Sequence, residues 1–90
     1  MSYLKAIVKG RVQGVGFRYF VYDLARQYGL KGTVRNLYSG AVEVQADGDD
    51  ELLSTFLDAL RAGPRMAQID DVDTEWSKEE KGFRDFRITF

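Results

Sequence analysis

Helical periodicity interrupts strand-like alternation twice along this chain of 90 residues, and that double interruption limits its fold more than any other feature. From Tyr3 to Val8, the residues Leu4, Ala6 and Val8 share one parity while Lys5 and Lys9 take the other, the pattern of a strand with one face covered. Phe17, Phe20, Leu24 and Tyr28 then recur at helical spacing with Val21 and Ala25 beside them, the stripe of an amphipathic helix. Gly29 offers that helix a left-handed cap, and Leu30 is the apolar residue that commonly follows one. Thr33 to Leu37 and Ala41 to Ala46 alternate again on either side of "YSG", which predicts a hairpin with Gly40 at positive φ.

The second helix is the better punctuated. "DGDDELL" predicts a turn, a cap at Asp49 or Asp50, and an acidic first turn at the positive end of the helix dipole. Leu53, Phe56, Leu57 and Leu60 form its stripe, and Gly63 with Pro64 ends it. Beyond it, Val72, Thr74 and Trp76 alternate with acidic residues, "SKEEKG" reads as a charged turn, and Phe86, Ile88 and Phe90 alternate once more. The order strand, helix, strand, strand, helix, strand, with an extra or bent final strand, predicts an α+β fold. It is the ferredoxin-like split βαβ sandwich, in which two helices pack on one face of an antiparallel sheet. A chain of this length supports one such core, so residues 1–90 are expected to form a single domain.

Composition then narrows the chemistry. Cys and His are both absent, which removes thiolate nucleophiles, disulfides, zinc knuckles, phosphohistidine and the commonest neutral-pH base. The formal net charge is −1, so the chain as a whole carries no footprint for nucleic acid or anionic lipid, and any basic site is local. "MSYLKAIVKG" at the N-terminus has neither a cleavage-like segment nor a long apolar run, so a cytoplasmic protein is the expectation.

The stretch "GRVQGVGFRYF" places Gly10, Gly14 and Gly16 just ahead of Arg18. Glycines before a helix can simply make a tight turn. Neither the third glycine of a dinucleotide fingerprint nor the Lys-Ser/Thr ending of a Walker A loop is present. A loop of Gly14, Val15, Gly16 and Phe17 can nonetheless turn successive N–H groups inward as an anion nest, backed by the positive end of the following helix. Arg18 adds a planar fork that matches an oxyanion, and a cation at this end of a helix is unfavourable unless an anion joins it. Asn36 is the second residue to stand out, because Asn is depleted in strands yet ends the run Thr33–Val34–Arg35. In the expected fold the first two strands finish at the same end of the sheet, so Asn36 can face the anion.

Two other groups of residues have plainer readings. Asp70, Asp71, Asp73 and Glu75 are expected to form a solvated, edge-protecting face, and Tyr3, Tyr19, Tyr22 and Tyr38 to pack against helices and sheet.

"GRVQGVGFR" taken together with "GLKGTVRNLYSGAVEVQADG" resembles the acylphosphatase family, and "GP" after the second helix with the closing aromatic strand extends the resemblance over practically the whole chain. It implies a hydrolase of carboxyl phosphates that yields a carboxylate and inorganic phosphate and needs no metal or cofactor. It further implies that the backbone of Gln13, Gly14, Val15, Gly16, Phe17 and Arg18, with the Arg18 side chain, holds the phosphoryl group, while Asn36 positions the attacking water. Ser39 stands where many members carry Asp, a departure that concerns the turn.

The resulting expectation is an acyl phosphate hydrolase acting on a small-molecule substrate, with phosphate as product and competitive ligand. No nucleic acid or membrane partner is expected, and monomer is the default. Three other readings compete with it. An anion-binding module without turnover would have no need of Asn36, and a related domain heads a long hydrogenase-maturation carbamoyltransferase, whereas this chain is short. An RNA-recognition motif shares the topology but puts stacking aromatics on its third strand, and here that strand reads "AVEVQA".

Overall fold

A computed structural model describes residues Met1–Phe90. It contains β1 (Ser2–Arg11), α1 (Phe17–Gln27), β2 (Lys31–Asn36), β3 (Val42–Gly48), α2 (Asp50–Ala62), β4 (Gln68–Ser77) and β5 (Phe86–Ile88). The strands form one sheet in the order β4-β1-β3-β2-β5. Four of them pair antiparallel as the sequence predicts, and the extra final strand adds at the far edge, parallel to β2.

Strand parity divides this sheet cleanly. Leu4, Ala6 and Val8 lie opposite Ala46, Val44 and Val42, and all six are buried on the face that the helices cover. The other face carries Lys5, Glu43, Gln45 and Arg35, where Arg35 Nε donates to Glu43 Oε1 at 3.0 Å and Gln45 Nε2 to the same oxygen at 3.2 Å. Lys9 meets Asp73 at 2.7 Å and Lys5 meets Glu75 at 3.7 Å, so these acidic residues of β4 work as the ion-paired rim of an edge strand.

The helices bury the stripes their periodicity announces. Leu53, Phe56, Leu57 and Leu60 of α2 are all buried. In α1 the buried column is Phe17, Val21 and Ala25, while Phe20, Leu24 and Tyr28 flank it half-buried. Both columns are apolar in sequence, and contact with the sheet decides which becomes the centre. Leu30 N–H donates to Ala25 O at 2.9 Å and Gly29 N–H to Arg26 O at 3.1 Å, the paired bonds of a Schellman ending.

Between β4 and β5 the chain crosses from one edge of the sheet to the other, and "SKEEKG" belongs to this crossing. It is pinned midway by the buried Asp47, whose carboxylate accepts from Lys81 N–H at 2.9 Å, Gly82 N–H at 2.8 Å and Phe83 N–H at 3.1 Å. Phe86 then drops between Tyr22 and Phe56, edge-on to both rings at 6.5 Å. From there β5 runs alongside β2 and delivers Phe90 to the end of the sheet where Asn36 lies.

The aromatic residues need one correction. Tyr3 is buried and Tyr22 packs on Phe86, as expected, but Tyr19 and Tyr38 are 65% and 112% exposed and pack against nothing substantial. Tyr19 lies on the outer side of α1 and Tyr38 at the hairpin tip, where no second layer covers them.

Candidate active site

At one end of the sheet a cavity of about 670 Å³ is lined by Gln13, Arg18, Arg35, Asn36, Leu37, Tyr38 and Phe90. The strand register explains why these distant positions meet. Val8 of β1 and Asn36 of β2 both pair with Val42 of β3, so the segments after β1 and β2 leave the sheet at the same end.

Of the three glycines before Arg18, Gly10 has a separate purpose. The β1–β4 register shifts between Lys9 and Gly10, the φ of Gly10 is 131°, and a Cβ there would come within 2.1 Å of the Gln68 carbonyl oxygen. It is a bulge glycine in a strand. Gly14 and Gly16 make the turn, each with φ 77°, while Val15 between them has no positive φ. Alternation of handedness is the backbone pattern from which anion nests are made. None of the N–H groups of Gly14, Val15 and Gly16 donates to another backbone group. Gly16 also provides no side-chain cap for α1, and the first turn of that helix holds no acidic residue.

Arg18 and Gln13 bracket this turn, and both line the cavity. Gly14, Val15, Gly16 and Phe17 are not among its lining residues: Gly14 and Gly16 are exposed, and the Phe17 side chain is buried in the core, anchoring the start of α1. The Arg18 guanidinium sits over the Phe90 ring, 5.5 Å from its centroid. Arg35, by contrast, is paired with Glu43 at 3.0 Å. Arg18 is therefore the cation of this cavity whose donors are not committed to a carboxylate.

Asn36 shares the parity of Val34 and so lies on the helix-covered face, at the last position of β2. Its Oδ1 is buried and has no hydrogen-bond partner. A buried amide oxygen without a donor is costly, on the order of 1–3 kcal/mol. Asn36 and Arg18 line the same cavity, so a polar group that lacks a partner and a guanidinium that lacks a carboxylate share one wall.

Several lining residues were not legible beforehand. Leu37 and Tyr38 follow Asn36 into the hairpin, and Phe90 reaches the cavity only because β5 adds parallel to β2. The contacts of the Gln13 side chain are equally hidden in the sequence. Its Nε2 donates to Leu37 O at 2.8 Å and to Ala41 O at 2.9 Å, tying the glycine turn to the hairpin. Ser39, the departure noted in that hairpin, accepts from Ala41 N–H at 3.3 Å and so serves the turn.

Comparison with known proteins gives this arrangement its family. A sequence model described as Acylphosphatase matches residues 4–88. An acylphosphatase of Dehalococcoides mccartyi is 51% identical over 89 residues, covering 98% of each chain. The crystal structure of acylphosphatase from Bacillus subtilis superposes with a TM-score of 0.97 at 38% identity, covering 100% of both chains. A likeness also extends to full-length HypF in a phosphate- and nucleotide-bound form, with a TM-score of 0.87 at 27% identity, where this chain matches 12% of the larger one. With fold, motifs and full-length relatives in agreement, the chain belongs to the acylphosphatase family, whose function is the hydrolysis of acyl phosphates.

Proposed function

We propose that this chain hydrolyses carboxyl phosphates at the cavity between the glycine turn and the β2–β3 hairpin. Arg18 and the backbone N–H groups from Gln13 to Arg18 hold the phosphoryl group, and Asn36 positions the attacking water. The observation that carries the reading is that Arg18 and Asn36 line one cavity, with no carboxylate paired to Arg18 and no hydrogen-bond partner on Asn36 Oδ1. Asn36 is a wall residue whose amide oxygen no protein donor holds, so a turn of its side chain presents that oxygen to a water lying beside an anion bound on Arg18.

The chemistry asks little else of the protein. Phosphoryl transfer depends mainly on positioning and on stabilising charge on the equatorial oxygens, which the guanidinium and the N–H groups of the turn supply. The water oxygen bonds to phosphorus while the bond from phosphorus to the carboxyl oxygen breaks, and the acyl group departs as a carboxylate with that electron pair. A carboxylate is a weak base, so the leaving group needs no strong general acid, in keeping with a chain that has no His or Cys. The proton of the water passes to a phosphoryl oxygen, giving inorganic phosphate.

The same proposal takes the 90 residues as one domain that acts as a monomer in the cytoplasm, without nucleic acid. No helix is long and apolar enough to cross a membrane, and the apolar stripes of both helices are covered by the sheet. The test is hydrolysis of benzoyl phosphate with a chelator present, beside a phosphomonoester control. Turnover should survive chelation and ignore the monoester. Asn36→Ala should lower it roughly 10²-fold or more while phosphate inhibition stays largely intact. Wild-type protein that binds phosphate and turns nothing over would make the cavity an anion-binding module instead.

A further inference from the structure

The groups assigned to phosphoryl binding and to water binding are carried by separate pieces of chain. The glycine turn joins β1 to α1, Asn36 ends β2, and β3 lies between those strands in the sheet. Val12 and Phe17 root the two ends of the turn in the core and Val15 packs against it, but Gly14 and Gly16 have no side chains, and a Cβ at either would meet nothing within 4 Å, so no side chain of theirs ties the turn across to the hairpin beyond Asn36. The side chain that spans this gap is Gln13. Its Nε2 donates to Leu37 O at 2.8 Å and Ala41 O at 2.9 Å, the carbonyls that bracket the hairpin turn directly after Asn36.

We propose that Gln13 is a positioning residue: its amide clamps the phosphate-holding turn to the hairpin and thereby sets the distance between the bound phosphorus and the water on Asn36. Both amide hydrogens are engaged in the clamp, so the side chain has none left for a phosphoryl oxygen, and its contribution is geometric. The hairpin also closes without it. Leu37 O accepts Gly40 N–H at 3.1 Å and Ala41 O accepts Leu37 N–H at 2.9 Å, so removing Gln13 leaves each carbonyl a partner. Loss of the clamp widens the gap rather than unfolding the turn.

This inference rests on the roles proposed for Arg18 and Asn36, and its test separates the two. Gln13→Met keeps the length and bulk of the side chain without its donors, and Gln13→Lys keeps donors at similar reach. Kinetics with benzoyl phosphate, phosphate inhibition constants and melting temperatures are measured for both, with Asn36→Ala in parallel. Gln13→Met should lower kcat by about 10- to 100-fold, the scale expected of a misplacement near 1 Å, while phosphate inhibition changes less than about threefold. Gln13→Lys should recover most of the lost kcat. Unchanged kcat in Gln13→Met, or a loss of kcat matched by an equal loss of phosphate affinity, overturns the clamp. Full turnover in Asn36→Ala would overturn the water assignment itself. A crippled Asn36→Ala beside a normal Gln13→Met would refute the clamp alone.

Discussion

The two helices begin in opposite ways. At α2, Asp49 caps the helix by accepting from Glu51 N–H at 2.9 Å, and Asp50 and Glu51 put negative charge in the first turn. A hydrogen bond from Ser2, with Lys78 close by, holds the Asp50 carboxyl below its ordinary pKa. At α1 the cap is Gly16, which has no side chain to give, the first turn has no acidic residue, and the side chain that follows Phe17 is a cation. A side-chain cap and an acidic first turn are present at α2 and missing from α1. An uncapped N-terminus leaves its donors free for an anion, which is the use proposed for them above.

The β2–β3 hairpin repeats this contrast in its side chains. Asp47 and Asn36 are polar groups at opposite ends of it. The Asp47 carboxylate is occupied by three N–H groups of the β4–β5 crossing, and Asn36 Oδ1 by none. One end of the sheet uses its polar capacity to hold the fold, and the other leaves it free for the chemistry proposed above. The largest effect that can break this comparison is at Arg18. Arg18→Gln should lower turnover on the order of 10³-fold or more, because the cation that offsets charge on the transferring group is gone. Its stability should stay within about 0.5 kcal/mol of wild type, since a cation at the positive end of a helix contributes little to folding. Near-normal kcat/KM for benzoyl phosphate in a folded Arg18→Gln protein would remove the site from this end of the sheet.

Asp47→Ala is the opposite case and the next largest. Removing a buried carboxylate that receives several N–H groups should cost about 2–3 kcal/mol. For a domain of this size that lowers the melting temperature by roughly 10 °C or more. The kcat of the protein that remains folded should be unchanged, because Asp47 and Asn36 lie at opposite ends of the same strand pair. A thermal melt beside kinetics well below the transition checks both halves. Loss of kcat without loss of stability would mean that the crossing, none of whose residues lines the cavity, governs the site through β5 and Phe90.

How far the sequence discloses each end follows from the same distinction. The start and stop of α2 are legible because Asp49, the apolar stripe and Gly63 each act within a turn of their own position. Asn36 and Arg18 are legible for the reverse reason, as residues that break a local rule: an amide in a strand and a cation at a helix N-terminus. What stays hidden depends on contacts between remote segments. Nothing in "FRITF" tells β5 to cross the sheet and add parallel to β2, so Phe90 cannot be assigned to the cavity from sequence. The Gln13 clamp is hidden likewise, because its partners are backbone carbonyls 24 and 28 residues away. Tyr19 and Tyr38 mislead in the other direction, as aromatic residues that pattern alone reads as packing and that no layer covers.

The smallest effect sharpens the comparison by making α1 resemble α2. Tyr19 lies in the first turn of α1 and is 65% exposed, so its ring can be replaced with little loss of packing. Tyr19→Glu puts a carboxylate where the helix dipole favours one, and should stabilise the fold by about 0.3–1 kcal/mol at low ionic strength. The same charge competes with an anion bound on the neighbouring N–H groups. A like-charge contact worth roughly 1 kcal/mol at a wet surface should weaken phosphate inhibition about fivefold. Both changes should shrink together as salt is raised, because both are electrostatic and solvent-exposed. A stabilised Tyr19→Glu protein with undiminished phosphate affinity would show that the anion does not sit at the start of α1, and the bare helix end would then need another explanation.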